Sequence, residues 1–222
     1  GVKNKNIRLL CGLPLIAHTI KQAKRWGRAD RIICTTDSPV IAKVAKEYGA
    51  EVPFMRPAEL ATDKAGKIDV LRHALKTMEE QTKQPFSVLI DLDVTAPIRE
   101  IKDIEQAYQT LIRNKAECVF SVTLCRKNPY FNMVELNKNG YAVLSKKMKS
   151  PIVRRQDAPK VYDMNASIYA YERKFILNEK TKTVFSNRSM ISVMGEWSAF
   201  DIDTEADFEF IEFLVSKRAI KL

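Results

Sequence analysis

Short β-branched and apolar runs alternate along this chain with amphipathic stretches of 9–15 residues, and that alternation restricts the fold more than any other feature. RIICTTD (31–37) is followed by SPVIAKVAKEYG (38–49) and then by EVPFM (51–55), which reads as strand, helix, strand. DVLRHALKTMEEQ (69–81) then reads as a helix, SVLIDLD (87–93) as a buried strand, EIKDIEQAYQTLIRN (100–114) as a helix and ECVFSVTL (117–124) as a strand. Upstream, Leu15, Ile16, Ile20, Ala23 and Trp26 share one helical stripe between Pro14 and Gly27, a start and a stop signal. Strands separated by helices predict an α/β fold with a doubly wound, mostly parallel sheet and right-handed crossovers.

The rhythm changes after residue 125. MVEL (133–136), NKNG (137–140) and YAVLS (141–145) predict an antiparallel hairpin with an Asn-Gly turn, set into the α/β chain. A basic loop follows, and the earlier pattern returns with NASIYAY (165–171), a helix near 172–178, MISVM (190–194), WSAFDID (197–203) and a closing helix from Thr204. Thr204 and Asp207 have capping-box spacing at the start of that helix. Residues 1–125 and 165–222 therefore form one α/β domain, and 126–164 an insertion suited to a partner or lid element.

The 222 residues suffice for one large core without disulfide staples. Cys11, Cys34, Cys118 and Cys125 are far apart with no C-x-x-C pair, so they read as reduced thiols of a cytoplasmic protein, and a zinc site has no support. No apolar run is long enough to span a membrane. The net charge of +10 is concentrated: residues 1–31 carry +7 and residues 138–160 carry +6, leaving −3 for the rest. Two blocks of this kind suit either a nucleic-acid surface or a pocket for a small polyanion such as a nucleoside triphosphate. Aromatic residues are sparse in both, which argues against a single-strand stacking platform.

Ligands of open α/β sheets bind beyond the carboxyl ends of the strands, so polar residues after apolar runs are the candidates. Alternation turns Asp201 and Asp203 to one side while Ile202 faces the core, and two oxygen donors near basic segments suit Mg²⁺ carrying a polyphosphate. Spacing equally allows Asp203 and Thr204 to cap the last helix. DLDVTAPIR (91–99) ends a strand in two Asp, a Thr and Arg99, and GVKNKNIR (1–8) offers backbone N–H groups and lysines to phosphates without matching a known phosphate-loop pattern. His18 and His73 lie within helices, where packed or solvated histidines are the rule, so a Ser-His-Asp or Cys-His site is not expected.

Taken together, these segments resemble the acylneuraminate cytidylyltransferases, the enzymes that make CMP-activated sialic acid and its bacterial nonulosonic relatives. GVKNKNI is similar to the second half of the family's nucleotide loop, RPAELATD (56–63) to its RPxxLAxD segment, and DLDVTAPIR stands in the place of its LLQPTSPLR. VRRQDAPKVYDMNASIY (153–169) resembles the sugar-pocket segment with R-Q and N-G-x-I-Y, and FDIDTEADF (200–208) the metal-binding DIDTExDF. The resemblance implies a Mg²⁺-dependent reaction of CTP with the anomeric 2-hydroxyl of a nine-carbon keto-acid, releasing pyrophosphate. It implies that Lys5 and Asn6 hold the triphosphate, that Arg56, Asp93, Thr95 and Arg99 line the nucleotide side, and that Asp201 and Asp203 bind the metal, with Lys5 and these two carboxylates catalytic. Arg155, Gln156, Asn165 and Tyr169 would face the sugar, Arg155 pairing with its carboxylate. The inserted hairpin would build a homodimer and lend residues to the neighbouring site.

Asp93 and Val94 stand where the family has Gln and Pro, Ala96 replaces a Ser, and Ala166 stands where the family has Gly, beside Asn165, narrowing that pocket. The overall flavour is nearest the branch handling legionaminic- or pseudaminic-type sugars. Family members also begin with a strand that leads into the nucleotide loop, so roughly 10–20 further residues are expected upstream. The alternatives are a 3-deoxy-octulosonate cytidylyltransferase, a basic nucleic-acid-binding module and a CTP sensor of the same fold that releases no pyrophosphate.

Overall fold

The N-terminal segment forms a 3-10 turn (Lys5–Ile7) and a tight antiparallel hairpin, β1 (Leu9–Leu10) with β2 (Leu13–Pro14), turned by Cys11 and Gly12 at φ 49° and 82°. The computed structural model describes residues 2–62, 64–150 and 152–222. Gly1 of the N-terminal loop, Asp63 at the end of RPAELATD and Pro151 of the basic loop lie outside the described residues.

The helices form where the apolar period places them. Helix α1 (Leu15–Trp26) ends on Gly27 at φ 70°, where a left-handed residue closes the last turn. In α2 (Pro39–Glu47) the Ser38 side chain accepts from Ile41 N, and Pro39 takes the first turn, where its missing N–H costs nothing. Helix α3 (Lys67–Thr82) follows, then β3 (Val88–Leu92), α4 (Ile101–Arg113) behind a Glu100/Asp103 capping box, and β4 (Cys118–Leu124). The insertion carries the hairpin β5 (Val134–Leu136) and β6 (Ala142–Leu144) with Gly140 at φ 81°, as the Asn-Gly turn requires. The chain closes with β7 (Tyr162–Glu172), α5 (Arg173–Leu177), β8 (Ser189–Val193) and α6 (Glu205–Ser216), the last capped by Thr204 and Asp207.

The α/β class holds, but the sheet is mixed. Its strand order is β3-β7-β4-β8, with β4 and β8 parallel and β7 antiparallel to both β3 and β4. The cause is the insertion: the chain leaves β4 through the hairpin and loop instead of a helical crossover, so nothing obliges it to return parallel. The stretches expected as strands at 31–37 and 51–55 lie side by side and parallel, joined by one bridge, Ile33 with Glu51, flanked by Glu51 N donating to Ile32 O at 2.7 Å and Arg56 N to Thr36 O at 2.9 Å. The expected strand 197–203 is a 3-10 turn (Glu196–Ala199) followed by an extended stretch, tied to the β3 side by Ile202 N donating to Thr95 O at 2.8 Å.

Period-two alternation assigns the two faces of the sheet. Cys118, Phe120 and Val122 of β4 and Tyr169 and Tyr171 of β7 pack with Ile68, Leu71 and Leu75 of α3 and with α5. Val119, Ile168 and Ala170 point the other way, onto Ile104, Ala107 and Leu111 of α4. A third cluster joins Leu10 and Leu15 to Ile202, Phe208 and Ile211, and it pins the N-terminal turn against the segment carrying Asp201 and Asp203. Full burial of Ile202 contributes roughly 1.5–3 kcal/mol and fixes which side its neighbours face.

Candidate active site

Two segments far apart in sequence meet at Lys5. Asn4 takes the left-handed conformation at φ 55°, which starts the 3-10 turn and projects the Lys5 side chain toward the loop before α6. Lys5 Nζ donates to Ile202 O at 2.9 Å and pairs with Asp203 Oδ1 at 2.9 Å. Arg8 reinforces the contact, pairing with Glu205 and lying over the Phe208 ring. The cap of α6 leaves Asp203 free for Lys5, because Asp207 Oδ2 accepts from both the Asp203 and the Thr204 backbone N–H. Asp201 and Asp203 are exposed on either side of the buried Ile202, so they share the open side of the segment, as alternation predicts. Burial, and then the neighbouring Asp203 carboxylate, push the Asp201 carboxyl above its ordinary range.

The end of β3 builds the second part of the site. Asp93 Oδ1 accepts from Thr95 N at 3.0 Å and from Thr95 Oγ1 at 2.9 Å, which leaves Oδ2 facing Lys67 Nζ at 3.3 Å. Lys67 also pairs with Asp91 at 2.9 Å and lies 4.4 Å from the centre of the Tyr169 ring. Burial alone would lower the Lys67 ammonium and raise the Asp93 carboxyl. Their mutual attraction, with Asp91 and the Thr95 donors, outweighs it, so Lys67 is held above and Asp93 below the ordinary range. Arg99 departs from the expected nucleotide contact: it is buried and folds back onto the carbonyls of Asp93 and Ala96, bracing the 93–99 loop from behind. Burial lowers it to about 10.

Of the residues expected at the sugar, Asn165 and Tyr169 are buried and Arg155 and Gln156 are exposed. Asn165 is engaged: Oδ1 accepts from Ser121 Oγ at 2.6 Å, and Nδ2 donates to Ser198 O at 3.0 Å and Ser198 Oγ at 3.1 Å. Its amide therefore locks β4, β7 and the 196–199 turn together instead of facing a ligand. Ala166 is in the left-handed region at φ 52°, so a glycine would fit there for its backbone, not for pocket width. Tyr169 stacks on Tyr171 at 6.1 Å and presents its face to Lys67. Arg155 donates to Arg126 O, and both Arg155 and Gln156 sit on the insertion, outside the cleft that Lys5, Asn6, Arg56, Asp93 and Thr95 line.

That cleft has a volume of about 780 Å³. Its polar end is formed by Lys5, Asn6, Arg56, Lys67, Asp93 and Thr95, and its apolar part runs between residues 32–35 and β3. Arg56 is anchored through the Thr35 carbonyl and hydroxyl, beside the parallel pairing of 32–36 with 51–56. Among the described residues no three His, Cys, Asp or Glu side chains gather as a metal cage. A cation at Asp201 and Asp203 would take its other ligands from phosphate and water, the usual habit of Mg²⁺. The two histidines are not part of the site: His18 is buried against Leu10 O, and His73 packs edge-on to Phe54.

Lys67 is the residue that reading the sequence misses. A signal was present, because Lys67 opens α3, where the helix dipole disfavours a cation, and no side chain caps that end. A residue that opposes its local structure marks a place where something else is gained.

A family model described as Cytidylyltransferase matches residues 1–220. Over 221 residues the chain is 44% identical to the post-translational flagellin modification protein B of Campylobacter coli, covering 100% of this chain and 92% of that one. It is 45% identical over 216 residues to the CMP-N,N'-diacetyllegionaminic acid synthase of Campylobacter jejuni, covering 97% and 90%. A solved CMP:2-keto-3-deoxy-manno-octonic acid synthetase complexed with CTP superposes with a TM-score of 0.68 over 98% of this chain and 93% of that chain, at 17% identity, which carries the fold alone.

Proposed function

The chain belongs to the cytidylyltransferase family, and from that premise we propose that it transfers CMP from CTP to the 2-hydroxyl of a nine-carbon, acylneuraminate-type sugar acid. The hydroxyl oxygen attacks the α-phosphorus, the bond to the β-phosphate oxygen breaks, pyrophosphate leaves, and the hydroxyl proton passes to solvent. The observation that carries the reading is the meeting of Lys5 with Asp203 across the sequence, Lys5 also lining a cleft with Asn6 and Arg56. The contact supports a reading in which a triphosphate and a divalent cation are held side by side. Similarity to a CMP-N,N'-diacetyllegionaminic acid synthase supports the legionaminic type among the sugar acids.

Lys5 and Asn6 would hold the triphosphate and Arg56 the nucleotide side, while Thr95 and Arg99 keep the 93–99 loop in place. The paired carboxylates of Asp201 and Asp203 fit a hard divalent cation, whose charge would offset the burial and then the mutual repulsion that raise Asp201. Mg²⁺ bound there would neutralise charge on the triphosphate and on the departing pyrophosphate. With no histidine in the site, catalysis rests on positioning and charge, as in other phosphoryl transfers. The enzyme would work as a homodimer through residues 126–164, in the cytoplasm where CTP is made, and no helix of the described residues is long and apolar enough to cross a membrane.

The test is pyrophosphate release with Mg²⁺, CTP and a panel of N-acetylneuraminic, legionaminic, pseudaminic and 3-deoxy-octulosonic acids. One nine-carbon acid is expected to support turnover, and Asp203→Ala to lower it at least about a hundredfold. CTP binding with no pyrophosphate from any acid would refute the reading in favour of a sensor.

A further inference from the structure

We propose that Lys67 determines specificity for the sugar acid: with Asp93 it forms a donor–acceptor pair that receives neutral hydroxyl groups of the substrate and turns its charged groups away from that end of the cleft. The inference rests on the cytidylyltransferase reading above and deepens it.

Four observations carry it. First, Lys67 joins residues that the sequence assigned to different ligands, since its ammonium lies 3.3 Å from Asp93 Oδ2 and 4.4 Å from the centre of the Tyr169 ring. Second, the pair is open to a ligand, the side chains of Lys67 and Asp93 being 40% and 28% exposed on the cleft wall. Third, Thr95 already occupies Asp93 Oδ1 through two hydrogen bonds, so the one oxygen left to accept from a ligand is the one beside Lys67. Fourth, Lys67 gives its helix nothing: it stands at the first position of α3, where a cation opposes the dipole, and the acidic residue of that turn, Asp69, pairs with Arg72 and Lys182.

The class of ligand follows from the charges. The Lys67 ammonium is already matched by Asp91 and Asp93, with Arg99 buried behind the loop, so the group has no surplus positive charge to draw in a carboxylate or phosphate. Such an anion also brings acceptors alone, and would set them against Asp93 Oδ2. A hydroxyl satisfies both members, its oxygen accepting from Lys67 and its proton donated to Asp93. The triphosphate and the sugar carboxylate are thereby confined to the parts of the site away from this pair.

The experiment compares wild type with Lys67→Gln, Lys67→Arg, Asp93→Asn and the Lys67→Gln/Asp93→Asn double variant, using the sugar acid that wild type turns over and a series lacking single hydroxyls. Lys67→Gln and Asp93→Asn are expected to raise the sugar KM about ten- to a hundredfold, the loss of hydrogen bonds to charged groups, with the CTP KM within about twofold. Lys67→Arg should recover part of the loss, and the double variant should be no worse than the worse single one. One deoxy sugar should erase the difference between wild type and Lys67→Gln, an effect that a merely structural ion pair would not produce. Calorimetric CTP binding and the unfolding midpoint identify any variant that fails to fold, in which case Lys67→Arg alone decides through its deoxy-sugar profile. A raised CTP KM with the sugar KM unchanged would overturn the proposal, as would no change in either. Failure of wild type to release pyrophosphate from any acid would instead refute the underlying reading, and the proposal with it.

Discussion

Ala166 sits at φ 52°, a left-handed conformation that a side chain with a Cβ disfavours and glycine adopts freely. Ala166→Gly is therefore expected to stabilise the protein by about 0.5–1 kcal/mol after allowing for the lost methyl contact and the freer unfolded chain. For a chain of this length that is a rise of about 1–4 °C in Tm, read by thermal unfolding, and a fall would contradict the assignment. The residues around it show what a sequence can reveal at this scale. That Asp201 and Asp203 share the open side was legible because it depends on alternation about Ile202, a local property. The fate of Asn165 was not, because its amide is taken by Ser121 and Ser198, 44 and 33 residues away in the chain. Lys67 escaped for a similar reason: its partners Asp91 and Asp93 lie at the end of another element, and the clue it did leave, a cation at a helix start, points to an anomaly without naming what resolves it.

At the scale of elements, helix spans were read within about two residues, since apolar stripes and caps act within one segment. Strand direction was not, since it depends on how the chain returns to the sheet, and the insertion before β7 replaces the helical crossover that would have enforced parallel pairing. The structural consequence lies inside β7. Its register against β4 shifts between Phe120 with Tyr169 and Val122 with Met164, which bulges residues 165–168 opposite Ser121. The Ser121 hydroxyl repairs the gap, donating to Asn165 Oδ1 at 2.6 Å and accepting from Ile168 N at 2.8 Å. Ser121→Ala would leave both groups buried without that partner and is expected to destabilise by about 1–3 kcal/mol, measured by denaturant unfolding. Because the bulge also sets the direction of Tyr169 under Lys67, the same variant should weaken sugar binding more than CTP binding. A variant as stable as wild type would show that the bulge does not depend on the serine.

At the scale of the whole molecule, the chain presents an unbalanced surface. The hairpin of the insertion exposes Val134, Leu136 and Tyr141, the last two by 73% and 70%, and two strands with no cover are marginal in water. Residues Arg155 and Gln156, on the same insertion, stand outside their own cleft although the resemblance assigns them to the sugar. Both facts have one explanation if a second copy covers the hairpin and receives Arg155 in its cleft. Sedimentation velocity at micromolar concentration should then give twice the monomer mass, and Leu136→Asp should return it to the monomer by burying an unpaired charge in the interface. The site in trans makes a sharper claim. Arg155→Ala and Asp203→Ala should each abolish turnover alone, but in a mixed dimer one of the two sites combines an intact Asp203 with an intact Arg155 from the other chain. After equal mixing and exchange, half the dimers are mixed and each has one good site, so activity should recover to about a quarter of wild type. If Arg155 served its own chain, the mixed dimer would hold no complete site and mixing would restore nothing; a monomeric wild type would remove the dimer and the shared site together.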